Sequence, residues 1–281
     1  MIELGLIGYP LEHSLSPQIH HAALATCGLK GRYTLFSISP SNWDKVHELL
    51  NQVRDGVIQG LNVTIPHKEA VIPLLDTITP IAEAIGAVNT IFMQEDKLIG
   101  DNTDAAGFLA DLDNNFTGWR NESTKNALVL GAGGSARAVT SALIKEGWNV
   151  TITARRLGQV EGLIAQFPEH VSQLSSLEYL FDDLTEISPT LHLIINATPI
   201  GMWPNIKNSP WLEGLPYPKR AFFYDLVYNP HDTRFVLGAR DAGLPAVTGF
   251  GMLVEQAALS FELWIKCSVP REKLFASLEE K

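Results

Sequence analysis

The chain contains few cysteines and no long apolar segment. Only two of its 281 residues are cysteines, Cys27 and Cys267, and they lie far apart without a C-x-x-C pattern. Such sparse cysteines are not typical of a disulfide framework, so we expect two buried or half-buried free thiols in a reducing compartment. No apolar segment approaches the roughly 20 residues that a membrane-spanning helix needs, and we expect no membrane partner.

The chain also lacks an excess of positive charge. Its 21 Lys and Arg residues are outnumbered by 31 Asp and Glu residues, which gives a formal net charge of −10. This balance argues against nucleic acid or an anionic membrane surface as a partner. An anionic small molecule must instead be bound by local features, such as a helix N-terminus or individual basic side chains.

We expect neither a metal site nor a targeting segment. The eight histidines are scattered, and the adjacent His20 and His21 on one predicted helix cannot both face a single metal ion. Residues 1–8 contain neither the basic segment nor the apolar core of a secretory signal. The prediction is therefore a cytoplasmic protein without a metal.

The chain does contain a glycine-rich turn between a predicted strand and a predicted helix. The turn follows the apolar strand 127–130, and a second strand, 149–153, comes after the helix 135–145. In this context glycines let the backbone approach a pyrophosphate, and the helix N-terminus attracts the anion. The alternative is a tight turn without a ligand, but the flanking strands favour a dinucleotide. The expected contacts are Gly131, Ala132, Gly133, Gly134, Ser135 and Ala136.

The end of the second strand indicates which dinucleotide binds. A site that prefers NAD usually carries an acidic residue here, whereas this chain has Ala154, Arg155 and Arg156. An arginine suits the 2′-phosphate of NADP by its charge and its planar shape. The alternative is a solvated start of the next helix, but we predict NADP.

Strand and helix patterns alternate along the whole chain, which predicts the α/β class and two domains with a cleft between them. The polar, acidic segment 169–189 shows no clear pattern. A hairpin is predicted around Glu95 and Asp96, and Ser41 is expected to cap a helix reaching about Val53.

Three polar clusters allow both a structural and a functional interpretation. Ser14 and Ser16 precede Pro17, so Ser16 is expected to cap a helix or, with Ser14, to bind a carboxylate. Lys68 lies at the start of a predicted helix, 68–74, where a cation is disfavoured. It is either a solvated lysine or one retained for function. Asp104 similarly begins a helix, either as a dipole partner or as a site residue.

These clusters belong to a series of motifs that resembles the shikimate dehydrogenase family over nearly the whole chain. The motifs are S-x-S-P at 14–17, N-V-T-x-P-x-K at 62–68, G-A-V-N-T at 86–90, G-x-N-T-D at 100–104, G-A-G-G-x-x-R-A at 131–138, I-N-A-T-P at 195–199, Y-D-L-x-Y-x-P-x-x-T at 224–233 and G-x-G-M-L-V-x-Q-A at 249–257. Eight ordered motifs are much more specific than any one of them.

The resemblance implies a substrate domain at 1–104, completed by residues 249–281, and a Rossmann-like NADP-binding domain at 105–248. It also implies that Lys68 and Asp104 are the catalytic pair. The implied substrate contacts are Ser14, Ser16, Thr64, Asn89, Asp104, Tyr228 and Gln256. Further cofactor contacts are expected at Asn196, Thr198, Gly249 and Met252.

The implied reaction is the reversible NADPH-dependent reduction of 3-dehydroshikimate to shikimate, in a monomer or a homodimer. The family's NADP-dependent members typically carry Asn-Arg-Thr where this chain has Ala154-Arg155-Arg156, so only the central arginine matches. One alternative is a relative that oxidises quinate or uses NAD. Another is a nucleotide-binding regulator without turnover, which the retained Lys68 and Asp104 disfavour.

Overall fold

The computed structural model describes residues 1–279. They form two compact α/β units, one comprising residues 1–107 with the chain from Val254 onward, the other Phe108–Leu253. The strands are β1 (Ile2–Gly8), β2 (Gly31–Ser37), β3 (Gly60–Val63), β4 (Thr77–Ile78), β5 (Thr90–Gln94), β6 (Lys97–Asp101), β7 (Asn126–Leu130), β8 (Asn149–Ala154), β9 (Leu174–Glu178), β10 (Leu193–Asn196), β11 (Phe222–Asp225) and β12 (Ala246–Thr248). The α-helices are α1 (Ser16–Thr26), α2 (Trp43–Arg54), α3 (Pro80–Ile85), α4 (Asp104–Asn115), α5 (Gly134–Lys145), α6 (Leu157–Ile164), α7 (Phe181–Ile187), α8 (Arg234–Asp241), α9 (Phe250–Ile265) and α10 (Arg271–Glu279).

The first unit is built on a mixed six-stranded sheet in the order β2-β1-β3-β5-β6-β4. Strands β1, β2 and β3 run parallel, whereas β5 runs antiparallel to both β3 and β6. Glu95 and Asp96 connect β5 to β6 with left-handed backbone angles, which confirms the predicted hairpin. An apolar core formed by the sheet and α2 includes Ile7, Leu49 and Leu61, each at most 2% exposed.

The second unit is built on a wholly parallel sheet in the order β12-β11-β10-β7-β8-β9. Numbered from its own first strand, this is the Rossmann order 3-2-1-4-5-6, and the direction of winding reverses between β7 and β10. The central strands β7, β10 and β11 are mostly buried and largely apolar, as expected where both faces of a parallel sheet are covered, whereas the edge strand β9 is polar and largely exposed. The predicted α/β class and Rossmann-like unit are confirmed.

Several local predictions were wrong. No α-helix spans 68–74: Lys68 lies in a series of turns that leads to a short 3-10 helix, Ile72–Leu74. Pro73 explains the difference, because inside an α-helix it would lack the N–H that bonds four residues back. Asn42, not Ser41, caps α2, accepting a 3.4 Å hydrogen bond from the Lys45 amide. The segment 169–189 contains β9 and α7, which the sequence did not reveal because few apolar residues mark them.

The prediction of free thiols was also wrong. Cys27, after α1, and Cys267, after α9, form a disulfide with their Cα atoms 6.6 Å apart. The two residues are separated by 240 positions, so only the packing of the last helices onto the first unit brings them together. Cysteine spacing carries no information about a contact of that range.

Within residues 1–279, no helix has both the length and the apolar composition needed to cross a membrane. The same part of the chain holds no group of three His, Cys, Asp or Glu side chains placed to bind a metal ion.

His20 is a fully buried titratable group in the first unit. Its ring stacks on Tyr33, with ring centroids 4.2 Å apart, and lies 5.4 Å from the ring of Trp264. Burial lowers the pKa of His20 to about 3, against a smaller opposing effect of the nearby Asn62. The imidazole is therefore neutral in the folded protein at neutral and mildly acidic pH.

This burial predicts a specific pH dependence of folding. Because the unfolded histidine titrates near pH 6.5, the unfolded state binds more protons between pH 6.5 and 3, and acid destabilises the fold. As the pH falls from 8 to 5, His20 lowers the free energy of unfolding by about 2 kcal/mol. We expect His20→Phe, which retains the aromatic stack, to abolish that loss in urea unfolding measured at both pH values. His47→Gln, at an exposed position of α2, is the control. An unchanged pH slope in His20→Phe would contradict the burial argument.

Candidate functional site

In the first unit, the polar motifs converge on one edge of the sheet. Thr64 follows β3, and Asn89 immediately precedes β5, which runs in the opposite direction. The strand register pairs Asn62 with Thr90 and Thr90 with Asp101, so the end of β3, the start of β5 and the end of β6 are adjacent. The loop after β6 therefore delivers Asp104, the first residue of α4, to the same edge.

Lys68 and Asp104 form an ion pair at this edge. The Lys68 Nζ atom lies 2.5 Å from Asp104 Oδ2, and the two residues are 9% and 4% exposed. Both charges are thus largely removed from water, which stabilises a pair only when hydrogen bonds satisfy the remaining atoms. The backbone of Lys68 is also fixed, because its carbonyl oxygen accepts a 2.8 Å hydrogen bond from the Val88 amide.

Asn89 supplies much of that hydrogen bonding. Its Nδ2 group donates to Asp104 Oδ1 at 2.8 Å, which leaves Oδ2 for Lys68. Its Oδ1 atom accepts from the amide of Thr103 at 2.8 Å, which fixes the orientation of the Asn89 side chain. The Asp104 amide in turn donates to Asn102 Oδ1 at 3.0 Å. The position of Asp104 is thus fixed by one hydrogen bond to its carboxylate and another from its backbone amide.

Gln256 of α9 lies beside this cluster. Its Oε1 atom is 3.4 Å from Asn89 Nδ2, a weak hydrogen bond. Helices α4 and α9 approach closely here, since a Cβ atom at Gly107 would lie 2.8 Å from the Gln256 backbone nitrogen. Any larger residue at 107 would displace Gln256. The structure therefore brings together Lys68, Asn89, Asp104 and Gln256.

The two serines of the first motif lie together after β1. The helix α1 begins at Ser16 itself, so the prediction of Ser16 as the N-cap was wrong; that position is Leu15, which has no capping side chain. The Ser14 hydroxyl accepts a 3.3 Å hydrogen bond from the Ser16 amide. Pro17, in the first turn, needs no hydrogen-bond acceptor. The half-buried Thr64 side chain lies at the end of β3.

In the second unit, the glycine turn has an open helix N-terminus. Gly133 caps α5 without a side-chain hydrogen bond, and a Cβ atom there would meet nothing within 4 Å. Gly131 has φ +120°, and a Cβ atom there would lie 2.8 Å from the Ala197 carbonyl oxygen. Ala136 is fully buried against the sheet. The turn is thus tight on its inner side and open toward solvent, the cradle that a pyrophosphate requires.

Ala154 ends β8, and the exposed Arg155 and Arg156 follow it. The Arg156 Nε atom donates to Gln159 Oε1 at 3.1 Å, at the start of α6. Within residues 1–279, Arg155 forms no hydrogen bond or ion pair, so its guanidinium group is available for an anion.

The loops after β10 and β11 are joined by a buried network. Asn196 Oδ1 accepts from the Thr198 amide and hydroxyl at 3.0 and 2.6 Å, and Asn196 Nδ2 donates to Asp225 Oδ1 at 2.8 Å. Asp225 Oδ1 also accepts from the Val227 amide at 3.0 Å, and Asp225 Oδ2 from the Thr233 hydroxyl at 2.6 Å. Asp225, the last residue of β11, is the centre of this network.

Three further predicted residues, Tyr228, Gly249 and Met252, belong to the second unit. Tyr228 is half-buried in the loop after β11. Gly249 packs under that loop, since a Cβ atom there would lie 2.4 Å from the Leu226 carbonyl oxygen. Met252, in the first turns of α9, is 7% exposed.

A parallel sheet wound in this order and entered through a glycine turn defines a Rossmann-type dinucleotide-binding protein. Comparison with known proteins is more specific. The model of the shikimate dehydrogenase substrate binding domain matches residues 6–91, and that of the shikimate 5'-dehydrogenase C-terminal domain matches residues 249–274. Shikimate dehydrogenase (NADP(+)) of Trichormus variabilis is 38% identical over 94% of this chain and 90% of its own length. The chain belongs to the shikimate dehydrogenase family.

Solved structures agree with this assignment. Shikimate 5-dehydrogenase from Thermus thermophilus, in complex with NADP(H) and shikimate, is 35% identical and has a TM-score of 0.85 over 99% of each chain. Quinate dehydrogenase from Corynebacterium glutamicum, in complex with NAD, has a TM-score of 0.87 at 26% identity, covering 100% of this chain and 99% of that one.

The Asp225 network predicts a pH effect opposite in sign to that of His20. Burial raises the pKa of Asp225 to about 7, although three hydrogen bonds oppose the shift. Because an unfolded aspartate titrates near pH 3.9, the folded state binds more protons between pH 4 and 7. The carboxylate therefore destabilises the fold above pH 7, and the penalty falls away as the pH drops.

Asp225→Asn should remove this dependence, because the amide can keep all three contacts by donating to the Thr233 hydroxyl. The free energy of unfolding of the variant minus that of the wild type should be about 3 kcal/mol more positive at pH 8 than at pH 5. Urea unfolding at the two pH values measures the difference, with the exposed Asp55→Asn as the control. A constant difference between variant and wild type would show that Asp225 does not titrate in this range.

Proposed function

We propose that this chain is a shikimate dehydrogenase that reversibly reduces 3-dehydroshikimate to shikimate with NADPH. The observation that carries the proposal is the buried Lys68–Asp104 pair, oriented by Asn89, in a chain whose second unit has an open dinucleotide cradle. The family relatives named for this activity and the solved complex with NADP(H) and shikimate support it.

The chemistry requires a hydride and a proton to reach the ketone. The nicotinamide of NADPH supplies the hydride when it is bound. Lys68, as an ammonium group, polarises the carbonyl and donates the proton to its oxygen, as a general acid within hydrogen-bond reach must. Asp104 holds the Lys68 Nζ atom in place and orients the substrate hydroxyl groups. In the reverse direction the neutral lysine accepts the proton from shikimate.

The remaining contacts in the first unit suit a small hydroxy acid. Ser14 precedes α1 and Ser16 is its first residue, and this helix start lacks a capping side chain, which favours binding of the substrate carboxylate. The ring hydroxyls would be bound by Thr64, Asn89, Asp104, Tyr228 and Gln256. Residues 1–104 with 249–281 form the substrate domain in this proposal.

The second unit would bind NADP, as domain 105–248. Its cradle residues fit a pyrophosphate, and the unpaired Arg155 fits a 2′-phosphate. Ala154 and Arg156 flank that phosphate, Asn196 and Thr198 form the cofactor loop, and Gly249 and Met252 border the nicotinamide. The glycine-turn contacts are Gly131, Ala132, Gly133, Gly134, Ser135 and Ala136.

Two further predictions remain. The chain is proposed to act as a monomer or a homodimer on a small-molecule substrate. A cytoplasmic location also stays a prediction, but its argument from free thiols no longer holds, because Cys27 and Cys267 are bonded to each other.

The proposed function is tested by mixing the purified protein with shikimate and NADP and recording absorbance at the reduced-nicotinamide band. We expect turnover with this pair and much lower kcat/KM with quinate or with NAD. Higher kcat/KM with quinate and NAD would support the alternative enzyme, and no turnover with any pair would support a non-catalytic nucleotide-binding protein.

Within this assay, Lys68→Ala should lower kcat by at least ~100-fold, the range expected for loss of a general acid–base group. The KM for shikimate should change less, because the carboxylate and hydroxyl contacts remain. Lys30→Ala, at an exposed position, is the matched control and should retain wild-type kinetics. Near-normal kcat in Lys68→Ala would show that another group transfers the proton.

Cofactor choice is tested separately by Arg155→Ala. Loss of a charge-assisted contact should lower kcat/KM for NADP about 10-fold to 100-fold, with little change for NAD. Arg54→Ala removes an exposed arginine from the first unit and serves as the control. Equal losses with NADP and NAD would mean that Arg155 does not contact the 2′-phosphate.

A further inference from the structure

Behind the Lys68–Asp104 pair lies a second layer of buried polar groups. Asn62, the third residue of β3, is 5% exposed, and Ser260, on α9, is fully buried. The Asn62 Nδ2 atom donates to Ser260 Oγ at 3.0 Å. Ser260 lies outside every motif that carried the family resemblance.

Asn62 is bonded on both sides of its amide. Its Nδ2 group also donates to the carbonyl oxygen of Asn89 at 3.1 Å, and its Oδ1 atom accepts from the Tyr33 hydroxyl at 2.8 Å. Because a backbone carbonyl can only accept, the Asn62 amide has one satisfactory orientation. Asn62 thereby fixes the backbone of Asn89, whose side chain orients the Asp104 carboxylate.

Ser260 extends the same layer to the residue before Asp104. Its hydroxyl exchanges a 3.1 Å hydrogen bond with the hydroxyl of Thr103. Thr103 Oγ1 also donates to the Gln256 carbonyl oxygen at 3.0 Å and accepts from Asn89 Nδ2 at 2.9 Å. Ser260 therefore connects Asn62 on β3 with the start of α4 across the interior of the first unit.

We propose that Asn62 and Ser260 are positioning residues for the Lys68–Asp104 pair, acting through Asn89 and Thr103. The inference rests on the proposed function, since it assigns these residues to the same proton-transfer site. Asp104 is reached by two routes, one through the side chain of Asn89 and one through the backbone after Thr103, and hydrogen bonds between Asn89 and Thr103 already join them. The Asn62–Ser260 hydrogen bond also couples the two routes, so the carboxylate is held against displacement toward either side.

Ser260→Ala is the sharpest test because it removes one hydroxyl with little change in volume. Asn62 Nδ2 retains its bond to the Asn89 carbonyl and Thr103 Oγ1 retains its bond to the Gln256 carbonyl, while the second N–H of the Asn62 amide loses its acceptor. Loss of one neutral hydrogen bond should lower kcat for shikimate oxidation about fivefold to tenfold. The KM for NADP should stay within about twofold, because the second unit is untouched.

A positioning role of Ser260 is distinguished from a purely structural one by making Ser260→Ala in an Asp104→Asn background as well. If Ser260 acts by positioning Asp104, Ser260→Ala should change kcat less than about twofold once that carboxylate is gone. Ser188→Ala is the matched control in both backgrounds, because it removes a different buried serine hydroxyl, which donates to the Pro216 carbonyl oxygen. Asn62→Ala should show the same background dependence with a larger loss of kcat, where it folds.

The outcomes are separable. An equal loss of kcat from Ser260→Ala in both backgrounds, or no loss in an active wild-type background, would overturn the inference and leave the proposed function intact. A wild-type protein without shikimate turnover would overturn the proposed function and the inference with it. A loss confined to the background that keeps Asp104 supports both.

Discussion

The burial of one ion pair is the constraint on which the arrangement of the first unit depends. Removing an ammonium and a carboxylate from water costs several kcal/mol for each ion, and their mutual attraction compensates only with good geometry and further hydrogen bonds. Lys68 and Asp104 meet this condition through Asn89, which donates to the carboxylate, Asn102, which accepts from the Asp104 amide, and Thr103, which orients Asn89. The edge where β3 ends, β5 begins and β6 ends is therefore crowded with amides and hydroxyls.

Much of this could be predicted from sequence because the signals are local. The glycine turn, the hairpin at Glu95 and Asp96, and the polar residues at strand ends all reside within a few consecutive positions. Lys68 and Asp104, 36 residues apart, could be paired only through the family resemblance, since neither position indicates the other. The helix predicted at Lys68 is absent for a local reason, because Pro73 disfavours an α-helix there and the hydrophobic periodicity does not take this effect into account.

What could not be predicted depends on contacts between distant parts of the chain. Asn62 and Ser260 are 198 positions apart, and no spacing rule connects a strand residue with a helix residue over that range. The disulfide between Cys27 and Cys267 could not be predicted from the sequence for the same reason. A polar residue within an otherwise apolar strand was the one usable signal for Asn62. Ser260 carried none, because a small residue on a helix is equally compatible with packing.

The same principle decides which buried groups are charged. His20 and Asp225 are as deeply buried as Lys68 and Asp104, but neither faces an opposite charge among residues 1–279. Desolvation therefore lowers the pKa of His20 and raises that of Asp225, and both groups favour the neutral form. Their effects on stability have opposite signs as the pH falls from 8 to 5, so they largely offset each other in the wild type. A nearly flat pH profile of the intact protein would therefore conceal two strongly perturbed groups, and only the single variants separate them.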